Sequence, residues 1–293
     1  MNNFAQRVLF AVPAAALFIW VTWLGGWAFQ LMASVIALFI VFEMSRLYSG
    51  EGSNTGTEDR HQKNPSFAIF YSTISLLIAS SVLFAIPAVS ADPYLFGFTI
   101  VAMGLYAFVD HKKAEPWIYA LLTGLYAPVA FRLMIRLRIT EIPQEGFFLL
   151  LLLFLAVWGN DVFAYLGGKG FGRHKMAPAV SPGKTWEGFA TGFLGAAVGF
   201  FFIIWIESIS TQAPVEYASI SGEKLSSLWP IILLVSLVGP GGDLLESRLK
   251  RKKGVKDSSS ILPGHGGFFD RFDAMIPSIL VVWAYLQLIK SLP

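Results

Sequence analysis

The chain contains no cysteine, so disulfides and thiolate metal sites are excluded. Charge is scarce as well: Asp, Glu, Lys and Arg make up 14% of the 293 residues, against 55% that are hydrophobic. A soluble domain needs a polar coat that this composition cannot supply. No convincing internal repeat is found, which argues against the repeated halves of many secondary transporters. The glycine-rich stretches lack the spacing of a Walker nucleotide loop. No nucleic-acid recognition module appears, and the basic residues sit against apolar runs, so nucleic acid is not an expected partner.

What is present is a series of apolar runs, each near the roughly 20 residues needed to cross a bilayer. They lie near residues 8–24, 27–46, 66–87, 93–109, 116–135, 146–167, 187–206, 226–247 and 273–291. Backbone polar groups in lipid must be satisfied internally, so these runs are expected to be helices. The expected fold class is therefore all-α: a polytopic integral membrane protein of about nine transmembrane helices, with a polar catalytic cavity facing the cytoplasm. One membrane domain is expected over residues 1–293, with an N-terminal helical part at 1–145 and a catalytic part at 146–293. The first run follows Arg7 and imitates a signal peptide, but Leu24-Gly25-Gly26 turns almost directly into the second. An uncleaved helical hairpin is the expectation. Ser49 to Asn64 is polar and reads as a solvated linker.

Charge placement sets the orientation. Arg7, Arg46, Arg60, Lys63, Lys112, Lys113, Lys169, Arg173, Lys175, Lys184 and the seven basic residues from Arg248 to Arg271 share one side, 17 of the 22 Lys and Arg. Arg132, Arg136, Arg138, Lys224 and Lys290 fall on the other. This asymmetry places the N-terminus and both long basic loops in the cytoplasm, and an odd number of spans places the C-terminus outside.

Chemistry-bearing residues gather near the C-terminal end. Gly239-Pro240-Gly241-Gly242 is expected to loosen the eighth span just before Asp243. Asp243, Glu246, Ser247, Lys250 and Arg251 then fall at i, i+3, i+4, i+7 and i+8, one stripe of a helix. A capped helix end with a salt-bridged face would give the same spacing. Lys256, Asp257, His265, Gly266, Gly267, Asp270, Arg271 and Asp273 follow. A basic loop obeying the positive-inside rule accounts for the lysines but not for the Asp270/Asp273 pair or His-Gly-Gly. Carboxylates beside many cations suit a Mg²⁺-dependent site for phosphorylated substrates. The sixth span carries Asn160-Asp161 after a long apolar stretch, and an acid at that depth is a functional candidate. Ser181, Lys184 and Glu187 bracket the entrance to the seventh span, where Pro182 and an acid also suit a plain helix start.

These residues resemble a known family. Ser247-x₂-Lys250-Arg251-x₄-Lys256-Asp257-x-Ser259-x₂-Leu262-Pro263-x-His265-Gly266-Gly267-Phe268-x-Asp270-Arg271-Phe272-Asp273 is similar to the full signature of phosphatidate cytidylyltransferases, also called CDP-diacylglycerol synthases. A second block resembles the same family, from Asn160-Asp161-x₂-Ala164-Tyr165 to Ser181-Pro182-Gly183-Lys184-Thr185-x-Glu187-Gly188. The resemblance is specific over the C-terminal half; the first 140 or so residues match only as hydrophobic helices. Gly239-Pro240 stands where many members carry a serine.

The resemblance implies condensation of CTP with phosphatidic acid to CDP-diacylglycerol and pyrophosphate, in a bacterial inner membrane. It implies one or two Mg²⁺ ions and leaves open a monovalent cation and a homodimer. Asp243, Lys250, Asp270, Arg271 and Asp273 are the expected catalytic residues. Ser181, Lys184, Ser247, Arg251, Lys256, His265, Gly266 and Gly267 are the expected substrate contacts. Asp243 and Asp270 lead as Mg²⁺ ligands, ahead of Asp161, Asp257 and Asp273. Two other readings compete: a CTP-dependent polyprenol kinase-like enzyme, and a membrane transporter. Transport predicts acids threaded along several spans, whereas here they gather at the cytoplasmic ends.

Overall fold

The computed structural model describes residues 3–49, 65–84, 92–108, 116–139, 143–210, 228–262, 264 and 266–291. Pro263, His265 and residues 50–64 of the expected linker lie outside this set. The described chain is helical almost throughout: α1 (Asn3–Leu24), α2 (Gly26–Ser49), α3 (Pro65–Phe84), α4 (Asp92–Phe108), α5 (Pro116–Arg138), α6 (Pro143–Phe171), α7 (Trp186–Ser210), α8 (Pro230–Lys252), the short α9 (Phe269–Phe272) and α10 (Met275–Ser291). Among the described residues, five segments are long and apolar enough to cross a membrane: Gly26–Leu47, Ala120–Arg138, Glu145–Phe171, Trp186–Ile206 and Pro230–Lys252. Val12–Leu24, Ser72–Leu83 and Met275–Ile289 are shorter apolar helices. The protein is an integral membrane protein of helical class.

Three boundaries differ from the sequence expectation in ways that matter. Helix α6 has 29 residues, a length of roughly 43 Å at 1.5 Å per residue. It exceeds the hydrocarbon thickness of about 30 Å, and carries the helix on through Gly167-Gly168-Lys169-Gly170. After it comes an antiparallel hairpin, β1 (Lys175–Ala177) with β2 (Ser181–Thr185), pairing Lys175 with Thr185 and Ala177 with Ser181. Finally, α10 opens at Met275, so Asp273 lies in the turn before it.

The chain forms two compact units, each built from segments of several parts of the sequence. The first comprises Met1–Ala16, Trp27–Leu133 and Leu249–Phe272. Its core holds Phe29, Ile40, Leu83 and Phe131, all buried. Arg132 and Asp92 are also buried here and pair at 2.6 Å, while the guanidinium donates to the Val82 carbonyl at 2.9 Å. Breaking a buried pair leaves a charge that must stay desolvated. Arg132→Met is therefore expected to cost about 3–5 kcal/mol. Denaturant unfolding in detergent reads this directly, and a loss under about 1 kcal/mol would mean that Asp92 does not depend on Arg132.

The second unit comprises Leu17–Gly26, Met134–Arg248 and Asp273–Pro293. Leu150, Leu153, Phe154, Phe200, Ile203 and Ile276 lie in its core. Helices α6 and α7 meet glycine to glycine: a Cβ at Gly159 or Gly195 would strike the other's carbonyl oxygen. Small residues let the backbones approach this closely, which is how apolar helices gain contact where lipid removes the hydrophobic drive. Arg138 donates to the carbonyls of Thr22 (2.8 Å) and Trp23 (3.0 Å), satisfying the open C-terminal end of α1.

Candidate active site

In the second unit three carboxylates converge. Asp243 and Glu246 sit three residues apart on α8, one helical turn, and Asp273 enters from the turn before α10. One carboxylate oxygen from each lies within 4.8 Å of the others. The expected loosening at Pro240 does not interrupt α8, which runs helically from Pro230 to Lys252. The glycines act through space. A Cβ at Gly242 would collide with the Asp273 carbonyl, so the missing side chain lets the turn lie directly on the helix. Gly242→Val is expected to push Asp273 out of the cluster, cutting turnover about tenfold or more and raising the Mg²⁺ concentration for half-maximal rate. Unchanged Mg²⁺ dependence would show that the approach is not needed.

Lys184 completes this cluster. Its ammonium sits 2.8 Å from Asp243 Oδ2 and donates to the Pro240 carbonyl at 2.9 Å. Lys184 lies on β2 one residue before Thr185, whose Oγ1 accepts from the Gly188 N–H (3.1 Å) and caps α7. The hairpin is tied down by Glu187, which accepts from the main-chain N–H groups of Arg173 (3.1 Å) and His174 (3.2 Å). Ser247 Oγ donates to Asp243 Oδ1 at 3.2 Å, and the Asp273 Oδ1 accepts from the Ala274 N–H at 2.8 Å. Burial, reinforced by the charge of Asp243, pushes the Asp273 carboxyl above its ordinary range. Three hard oxygen donors, with one of their charges offset by Lys184, fit a divalent cation such as Mg²⁺.

Not every expected ligand belongs to this group. Asp161 is exposed on α6, and Ser181 opens β2 half-buried. Glu246, which the helical stripe contained but no ligand role was expected for, takes the third position.

Asp270, Lys250, Arg251, Lys256, Asp257, Gly266, Gly267 and Arg271 lie in the first unit. There Asp270 accepts from Lys250 Nζ at 2.6 Å, the Ser258 N–H at 2.9 Å and the Gly267 N–H at 2.7 Å, and Ser258 Oγ lies 3.0 Å from it. Lys250 and Asp270 are 11% and 5% exposed along their side chains. The Asp270 carboxylate is thus saturated by an ammonium and by loop donors, an environment unlike that of Asp243 and Asp273. Gly266 adopts φ +81°, and its carbonyl accepts from the Leu262 N–H at 2.9 Å, closing the loop on itself. Arg251, Lys256, Asp257 and Arg271 are exposed. His265 lies outside the described residues.

One residue of this unit had no place in the sequence reading. Glu43 of α2 is fully buried, and its carboxylate accepts from Ser258, Ser259, Phe268 and Phe269. Its only sequence signal is that it is the single acid in the first 49 residues, inside an apolar run.

The class defined by these features is a helical membrane protein bearing a carboxylate cluster that could hold a hard cation. The pattern of the Cytidylyltransferase family matches residues 5–289, and the chain belongs to that family. A phosphatidate cytidylyltransferase of Brucella abortus is 27% identical over 286 residues, covering 97% of this chain and 94% of the relative. One from Staphylococcus aureus is 27% identical over 285 residues, covering 92% and 94%. One from Haemophilus influenzae is 42% identical over 149 residues, which take in 50% of this chain and 49% of the relative.

Proposed function

We propose that this chain condenses CTP with phosphatidic acid to give CDP-diacylglycerol and pyrophosphate, with Asp243, Glu246 and Asp273 holding Mg²⁺. The observation that carries the cation assignment is the convergence of three carboxylates beside Lys184. Similarity to phosphatidate cytidylyltransferases over nearly the whole chain supports the reaction. An oxygen of the phosphatidate phosphate attacks the α-phosphorus of CTP. The bond from that phosphorus to the bridging oxygen breaks, and pyrophosphate leaves with the electron pair. The attacking phosphate is already largely ionised near neutral pH, its second pKa being about 6, so no strong general base is required.

Catalysis then rests on positioning and charge. Mg²⁺, when bound, neutralises the triphosphate and the departing pyrophosphate. Lys184 holds Asp243 in place and adds positive charge at the cluster. Lys250, Arg251, Lys256 and Arg271 offer further cations to two polyanionic substrates, and Ser181, Ser247, Gly266, Gly267 and His265 contribute polar contacts. A phosphatidate substrate explains why a nucleotide enzyme is built from apolar helices. Purified protein given labelled CTP with phosphatidate, or with a polyprenol, separates the enzyme readings. Product with phosphatidate alone is expected; product only with the polyprenol would replace this reading, and none with either would reopen transport.

The same reading places one membrane domain in a bacterial inner membrane, with about nine spans, the N-terminus and active site in the cytoplasm and the C-terminus outside. The basic residues support it. Tags at the two ends are expected to show opposite protease access in sealed vesicles. Equal access would reject this topology.

A further inference from the structure

The family signature lies in the C-terminal half, yet an acid from α2 reaches directly into the signature loop. Glu43 Oε1 accepts from Ser259 Oγ at 2.7 Å and from the Phe268 N–H at 3.0 Å. Its Oε2 accepts from Ser258 Oγ at 2.9 Å and from the Phe269 N–H at 2.8 Å. The four donors stand at the two ends of the segment 258–269, so a single carboxylate fastens both ends to one point on a helix. Between them, Gly267 passes so close that a Cβ would strike the Glu43 carboxylate and Ser258 Oγ. The rings of Phe39, one turn before Glu43, and Phe268 stack with centroids 5.0 Å apart. Ser258 joins this clamp to a second carboxylate, since its hydroxyl also lies 3.0 Å from Asp270 Oδ2. A buried carboxylate is tolerated when donors surround it, and among the described residues these four come from the two ends of that segment.

We propose that Glu43 is a positioning residue for the reaction: from α2 it fixes the path of residues 258–269, and through Ser258 it sets Asp270 and the Lys250 ammonium that Asp270 holds. Its part in turnover rests on the function proposed above; the clamp itself does not. The role gives the N-terminal half a part in turnover beyond supplying helices. It also explains why an acid is used. Glutamine has one oxygen and one NH₂, so in either orientation its NH₂ faces a main-chain N–H, of Phe268 or of Phe269, donor against donor. Aspartate keeps both acceptors on a shorter stem.

Glu43→Gln and Glu43→Asp test this in the full-length protein in detergent with phosphatidate. For Glu43→Gln, kcat per folded protein is expected to fall about tenfold or more, with KM for CTP changed less than about threefold. Amide hydrogen exchange is expected to accelerate within residues 258–270 and to stay near wild type elsewhere. Glu43→Asp should recover part of both effects. A purely structural Glu43 would lower the yield of folded protein while leaving kcat and local exchange intact, and that result overturns the proposal. Should Glu43→Gln not fold, the doubly substituted Ser258→Ala, Ser259→Ala protein reads the clamp from the loop side. Unchanged exchange and kcat there would overturn it equally. An inactive wild type would reject the proposed reaction alone, because the exchange comparison still decides whether the clamp exists.

Discussion

Asp243→Asn and Asp273→Asn are each expected to lower Mg²⁺-dependent turnover by about 100-fold or more, on the order of 2.7 kcal/mol of transition-state stabilisation. Each substitution removes a negative oxygen from a set of three whose charge exceeds what Lys184 offsets. Asparagine keeps the volume and one oxygen, so the folded protein should still extract normally. Glu246→Gln belongs to the same series and is expected to raise the Mg²⁺ requirement in the same direction. Asp270→Asn provides the contrast. Its carboxylate is taken up by Lys250 and by loop donors, so its loss should reduce turnover without shifting the Mg²⁺ concentration for half-maximal rate. Titrating Mg²⁺ across all four variants separates the groups. If Asp270→Asn shifted the Mg²⁺ curve while Asp273→Asn did not, the ligand assignments would have to be exchanged.

That contrast marks where sequence reasoning stops. Apolar runs located the helices because lipid leaves the backbone no other partners. The stripe Asp243, Glu246, Ser247 was legible because helical periodicity alone brings those residues together, and α8 is helical through all of them. Choosing between Asp270 and Asp273 was not possible in the same way. They are three residues apart, but α9 ends at Phe272, so Asp270 belongs to a short helix and Asp273 to the turn that follows. No periodicity carries across such a break. The extension of α6 through its glycines was missed because glycine weakens helices by propensity, and packing overrides that preference here. Glu43 lay furthest out of reach. Its partners are more than 200 residues away in sequence, and a lone acid in an apolar run names no partner.

Lys250→Gln is the second large effect expected, and it differs in kind from neutralising the lysines beside it. Lys250 Nζ lies 2.6 Å from Asp270 Oδ1, with both side chains nearly enclosed. Removing the ammonium breaks this buried pair and leaves its carboxylate desolvated, which typically costs about 3–5 kcal/mol. Both stability and turnover should therefore fall, turnover by about tenfold or more. Lys252 is exposed at the end of α8, and its replacement by Gln, like that of Lys253, should leave both near wild type. Lys256→Gln and Arg271→Gln remove exposed charges, so they are expected to reduce turnover while stability stays unchanged. The double variant Lys250→Gln, Asp270→Asn closes the argument. With both charges of the pair gone neither is buried without the other, so stability should recover by more than additivity allows, while turnover stays low. If all five lysine and arginine variants behaved alike, the basic residues would do no more than orient the chain in the membrane.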